Sequence, residues 1–218
     1  MLFKALSTYN HGPFTAYSFD EYLPRGKQPG KWTEKRYGLS ICLMGWHGCK
    51  DGEILEYLTE NIYEIETRGQ VLEGDGKFTA QQIRFIRKCN WNIRTMRSFA
   101  CDCLKRYIHI CHNMKLNKLL REYIYNIEQQ QNEEDDRIIL ERDLRFIRSK
   151  IEHEFWKDKT LHNNGIWELV RGVRVLMDNP KASISYAMDV VAAITPDDKV
   201  WLKEKKWQRK QLLKYLVN

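Results

Sequence analysis

No stretch of this chain stays apolar for the roughly 20 residues that a membrane-spanning helix requires, so no membrane partner is expected. Met1–Leu6 is too short and wrongly flanked for a secretory leader. A Gly-rich phosphate loop, a dinucleotide-binding glycine fingerprint and a His-Glu-x-x-His zinc motif are all missing. No complete catalytic constellation stands out either. Negative mean hydropathy and a charged fraction of 30% read as a soluble protein. The expected compartment is the cytoplasm.

What is present suffices for real cores. At 218 residues and 43% apolar, the chain can build one large or two small domains. Six cysteines (Cys42, Cys49, Cys89, Cys101, Cys103, Cys111) in a cytoplasmic chain read as thiols rather than a disulfide framework. The net charge of +7 favours anionic partners, nucleic acid or an acidic protein surface. The charge is clustered. One basic block holds Arg84, Arg87, Lys88, Arg94, Arg97, Lys105 and Arg106; another holds Lys199, Lys203, Lys205, Lys206, Arg209, Lys210 and Lys214. The acidic run Glu133–Asp136 lies between them. Solvated helix faces are the plain reading of such blocks.

Residues 2–6 read as a strand, and 7–38 as turn-rich loops whose aromatics pin them to a core or flap over a cleft. Leu39–Met44 reads as a strand ended by Gly45, followed by a tight turn through His47 and Cys49. Asp51 then caps a short helix, Glu53–Leu58. Along Ile62–Thr67, period two puts Tyr63 and Ile65 on one face and Ile62, Glu64 and Glu66 on the other. Arg68-Gly69 reads as a turn, Gly74-Asp75-Gly76 as a hairpin, and Phe78–Arg87 as strand or helix start. From Asn90 the period becomes helical. Helices are expected from Ser98, over Lys115–Gln129, Asp136–Phe155, Trp167–Met177 and Lys181–Ile194, and after a start at Thr195-Pro196-Asp197-Asp198. On the third, Glu133/Arg137, Arg137/Glu141 and Glu141/Arg145 stand four residues apart. The fold class is α+β: a β-rich domain over 1–90, then an α-helical bundle over 91–218.

Three resemblances attach to these motifs. The segment Tyr37–Leu72, with its Gly45-Trp46-His47-x-Cys49 step, resembles an uncharacterised domain of bacteriophage and bacterial genomes. Phe99-Ala100-Cys101-Asp102-Cys103, Arg121-Glu122 and Trp207–Leu213 are similar to the all-helical domain of bacterial immunity proteins, with far fewer alanines. Together they imply a setting of phage–host conflict and an inhibitor or binder of a macromolecule, without bringing an activity. The N-terminal part also resembles the ADP-ribosyltransferase fold. That resemblance implies an NAD cofactor held by Lys4, Gly45 and Trp46, with Glu64 or Glu66 stabilising positive charge on the ribose. Lys4 stands where that fold has Arg or His, and its Ser-Thr-Ser pattern is missing.

Several chemistries compete for these residues. His47 and Cys49 could form a base and nucleophile, although positions two apart on a tight turn rarely align. Cys101, Cys103, His109, Cys111 and His112 are zinc-ligand types, but helical spacing scatters them, and no metal is expected. Arg84, Arg87, Lys88, Arg94 and Arg97, interleaved with Phe85, Trp91 and Phe99, suit a nucleic-acid surface. Lys203, Lys206, Arg209 and Lys210 offer a second basic face for nucleic acid or a protein. A binding role through these basic and helical surfaces is the leading expectation; an ADP-ribosyltransferase-like enzyme is the alternative.

Overall fold

The computed structural model describes residues 1–13, 15–129, 137–195 and 197–217, with only the backbone described for 137–140 and 164. The fold is α+β, a small antiparallel barrel followed by helices. Two compact units emerge: Met1–Asn92 with Gln208–Asn218, and Ile93–Trp207.

The first unit is built on four strands: β1 (Leu2–Leu6), β2 (Trp46–Lys50), β3 (Asn61–Glu73) and β4 (Lys77–Lys88). They close as β1-β2-β4-β3, every pair antiparallel. Period-two alternation sends Tyr63, Ile65, Phe78, Ala80, Ile83 and Phe85 inward. Phe19 and Tyr22, from the loop after β1, complete that core with Leu6 and Trp46. Phe19 and Tyr22 therefore fill the barrel rather than flap over a cleft, while Tyr9 and Tyr37 from the same loops are exposed. Phe19 meets Trp46 and Phe85 edge-on, with ring centres 5.6 and 5.4 Å apart.

Several local expectations change here. Ser40 and Met44 bridge a tight turn instead of lying in a strand, and Cys42 has φ 68° at its tip. The strand begins after Gly45, so His47 and Cys49 are strand residues, not turn residues. Gly45 is the pivot: its φ is 114°, and a Cβ there would sit 2.1 Å from Thr79 Oγ1. Arg68-Gly69 does not reverse the chain either; it is a bulge within β3, where the register against β4 shifts between Arg68 and Val71. The hairpin at 74–76 joins β3 to β4 as the Gly-Asp-Gly signal requires, and Phe78–Arg87 is strand throughout. Asp51 caps no α-helix. It opens a 3₁₀ turn, Asp51–Tyr57, and pairs with the N-terminal ammonium at 2.5 Å.

Beyond β2, the open side of β4 is covered by a strap over residues 30–36. Gly30 N donates to Phe85 O, Thr33 N to Ile83 O and Arg36 N to Gln81 O, at 2.8, 3.0 and 3.0 Å. The strap thus occupies an edge that would otherwise display unpaired backbone groups.

The second unit contains α1 (Ile93–Lys105), α2 (Met114–Gln129), α3 (Arg137–Lys157), α4 (Asn164–Val175), α5 (Pro180–Ile194) and the first half of α6 (Asp198–Val217). Its core takes Phe99, Cys103 and Leu104 from α1, Leu120 and Tyr123 from α2, Ile151 from α3, and Val173 and Val190 from α4 and α5. Asn163 and Asn179 accept from Ile166 N and Ala182 N, capping α4 and α5 at 2.9 and 3.0 Å. The cap of α6 is Asp197, which accepts from Lys199 N at 2.9 Å; Thr195 still closes α5, bonding Val191 O. Pro196, the acidic run Glu133–Asp136 and the Glu133/Arg137 pair lie outside the described residues, as does the Arg137 side chain. Glu141 and Arg145 do pair, at 3.7 Å. Among the described residues, no helix is long and apolar enough to cross a membrane.

Candidate nucleic-acid interface

The residues expected to share an NAD cleft are distributed over both faces of the barrel wall. Lys4 points into the barrel, where its ammonium donates to His47 O at 2.7 Å and lies 4.8 Å from the centre of the Phe19 ring. Burial lowers its pKa to about 8, opposed by Cys49 and aided by Arg36. Glu64 stands on the opposite face of the wall, because β1 pairs Lys4 with Tyr63 and Phe3 with Glu64. Phe3 also pairs with Cys49, so the Glu64 and Cys49 positions are separated by strand β1, about 10 Å by strand spacing alone. Phe3 is fully buried.

The expected reacting groups are also chemically committed. Burial pushes the Cys49 thiol up to about 12, which leaves it protonated and unreactive at neutral pH. His47 Nε2 is buried with no partner, and burial, with the Lys4 charge adding, holds the imidazole below its usual pKa. Glu64 pairs with Arg87 at 2.7 Å, and Glu66 pairs with Arg84. Trp46 is buried and donates through Nε1 to Glu34 O at 2.8 Å, and the space a side chain would need at Gly45 is filled. Neither can line a nicotinamide pocket as placed. The base–nucleophile pair and the NAD cleft are therefore not assembled.

The expected nucleic-acid block divides as well. Phe85, Trp91 and Phe99 are 0, 1 and 0% exposed, so none can stack on a base. Arg84, Arg87 and Lys88 stand on β4; Arg94 and Arg97 stand on α1 in the helical unit, where Arg97 Nη2 donates to Met177 O at 2.7 Å. On α6, Lys203 and Lys206 are exposed in the helical unit. Lys210 is exposed and Arg209 pairs with Glu53 at 2.5 Å, both grouped with the barrel. The cysteines of the 101–111 run are buried while His109 and His112 are exposed, and burial pushes the Cys101 and Cys103 thiols up. Among the described residues, no three His, Cys, Asp or Glu side chains are grouped to hold a metal.

A different set of residues comes together on the barrel. The strap carries Trp32, half-buried, with the guanidinium carbons of Arg84 and Arg68 at 4.9 and 5.8 Å from its ring centre. Three residues further along the strap, Lys35 lies 5.2 Å from the ring of Tyr37, which is 67% exposed. Arg36 lies 3.8 Å from the Trp46 ring centre and 5.7 Å from that of Tyr17. Among the described residues, Arg68, Lys35 and Arg36 form no salt bridge, and each lies over an aromatic face. The chain here reads Arg25-Gly-Lys-Gln-Pro-Gly-Lys-Trp-Thr-Glu-Lys-Arg-Tyr37, five cations against one acid. Its glycines and prolines marked it as loop and hid the alternation of cations with aromatics. That alternation was the available signal.

Compared with known proteins, the chain matches no family model, no curated protein and no solved structure.

Proposed function

We propose that the protein binds a nucleic-acid strand, and that the barrel strap with its neighbours on β3 and β4 is the surface that does so. The observation that supports this best is Trp32, held half-exposed between two arginines, with Lys35, Arg36 and the exposed Tyr37 on the same strap. An aromatic face accepts any base by stacking, while flanking guanidiniums neutralise phosphate without reading sequence. A single strand, whose bases are free to stack, fits better than a duplex. In the phage–host setting that the resemblances imply, such a protein acts by occupying nucleic acid rather than by turning over NAD.

The test is the salt dependence of binding to a labelled single-stranded oligonucleotide. Log affinity against log salt is expected to fall with a slope of roughly −0.7 for each phosphate neutralised. Replacing Arg68 with Ala makes the slope shallower by about one such unit. A salt-independent affinity, or equal binding to strand and duplex, contradicts the reading.

A further inference from the structure

The helical unit holds a second constellation, independent of the barrel surface. A pocket of about 310 Å³ opens where α3, α4 and the start of α5 meet, and three guanidiniums reach it: Arg148, Arg171 and Arg174. Among the described residues, Arg148 and Arg174 are each held along one edge, and Arg171 through both terminal nitrogens. Arg148 Nη1 meets Asp178 at 3.2 Å, Arg174 Nε meets Glu152 at 2.8 Å, and Arg171 Nη2 donates to the Tyr186 hydroxyl at 2.8 Å. Arg171 Nη1 reaches Glu168 only at 3.3–3.4 Å. A guanidinium has five N–H donors, so spare donors remain on all three.

The carboxylates balance the charge and hold the arginines apart. Asp178 is the most exposed of them, its side chain 76% open to solvent, and it is the group an incoming anion would displace. Aromatic rings continue the line from Arg171. Its guanidinium carbon lies 4.5 Å from the Tyr186 ring centre and 5.8 Å from that of Trp167. Trp167 in turn lies 5.5 Å from Trp156, which is 56% exposed. Four residues separate Trp167 from Arg171, and four separate Glu152 from Trp156, so each helix presents charge and ring on one face.

We infer that this pocket binds a phosphorylated nucleoside, its phosphate on Arg171 and Arg174 and its base against the exposed Trp156. Bidentate guanidinium contacts select phosphate geometry, and the adjoining rings supply the stacking face a planar base requires.

The experiment is calorimetric titration of the full chain with AMP, adenosine and orthophosphate. AMP is expected to bind, with adenosine and orthophosphate each at least about ten-fold weaker, since each keeps only half of the contacts. Arg171→Ala lowers AMP affinity at least about ten-fold, and Asp178→Asn raises it by removing the competing carboxylate. Trp156→Ala weakens AMP but leaves orthophosphate unchanged. Should Arg171→Ala fail to fold, Arg174→Lys keeps the charge and loses the fork, and must also weaken AMP. Absence of AMP binding up to about 1 mM, or wild-type affinity in the folded arginine variants, overturns the assignment. Loss of AMP binding in Trp32→Ala with retention in Arg171→Ala overturns it too, by moving the site to the barrel.

Discussion

Arg84 serves two neighbours at once: it pairs with Glu66 across the β3–β4 ladder and lies 4.9 Å over the ring of Trp32. The carboxylate fixes the guanidinium in place but takes up part of its charge. Replacing Glu66 with Gln therefore releases a cation toward phosphate without disturbing the strand. Affinity for a single-stranded oligonucleotide is expected to rise about two- to five-fold at low salt, since an exposed ion pair is worth under ~1 kcal/mol. Filter binding or anisotropy at low and high salt checks this. A catalytic carboxylate would instead show as lost turnover.

Lys4 gives a stability signature with a definite sign. Its pKa is lowered to about 8 in the fold from 10.5, so above pH 8 the unfolded chain holds more protons at this site. The Lys4 contribution to stability therefore improves as pH rises from 8 toward 10.5. In Lys4→Met that contribution is absent. The stability of Lys4→Met relative to the parent should fall by about 1 kcal/mol between pH 7 and 9, read by urea unfolding.

The buried thiols push the other way. Burial raises Cys49 to about 12 and Cys89 to about 11, with Cys101, Cys103 and Cys111 also raised. Unfolded thiols ionise near pH 9 while these stay protonated, so the folded chain holds more protons and stability declines above pH 9. These groups are common to the parent and Lys4→Met and cancel in that comparison. Restoring a small apolar residue, as in Cys49→Ala, should reduce the decline.

Thiol labelling separates the one exposed cysteine from the rest. Cys42 sits at the tip of the Ser40–Met44 turn with Lys77 Nζ 3.1 Å from its sulfur, and the other five are buried. An aromatic disulfide reagent under native conditions is expected to label one equivalent quickly and the remainder only on unfolding. Cys42→Ser should remove the fast phase entirely.

Gly30 tests the strap itself. A Cβ at this position would stand 1.8 Å from the backbone oxygen of Tyr22 and 2.7 Å from its carbonyl carbon, so backbone rather than a side-chain tip would have to shift. Gly30→Ala is expected to cost about 2 kcal/mol or more and to loosen Trp32 along with the strap. Thermal unfolding gives the first effect, and oligonucleotide affinity the second.

Much of the architecture was legible because periodicity reports burial. The alternation through Tyr63 and Ile65 and the spacing of Leu144, Ile147 and Ile151 each mark a face that is buried. The Gly-Asp-Gly step fixed the hairpin for the same local reason. What local pattern could not show was long-range pairing. The strand after Gly45 exists because β1 and β4 flank it, and the bulge at Gly69 reads like a turn until β4 is placed beside it. Phe85, Trp91 and Phe99 looked like stacking platforms beside arginines, yet neighbouring elements bury all three. Trp32 looked like loop filler and is the ring left accessible between two cations. That Gln208–Asn218 groups with the strands is likewise a tertiary fact with no local signature.

The central claim rests on Trp32, and one comparison addresses it directly. Fluorescence anisotropy with a labelled single-stranded oligonucleotide would be run on the parent, Trp32→Ala and Tyr9→Ala, Tyr9 being an exposed aromatic with no cation over its ring among the described residues. Loss of one stacked base costs about 1–3 kcal/mol, so Trp32→Ala should bind roughly five- to 150-fold more weakly while Tyr9→Ala binds as the parent does. Parent-like affinity in a folded Trp32→Ala would contradict the account.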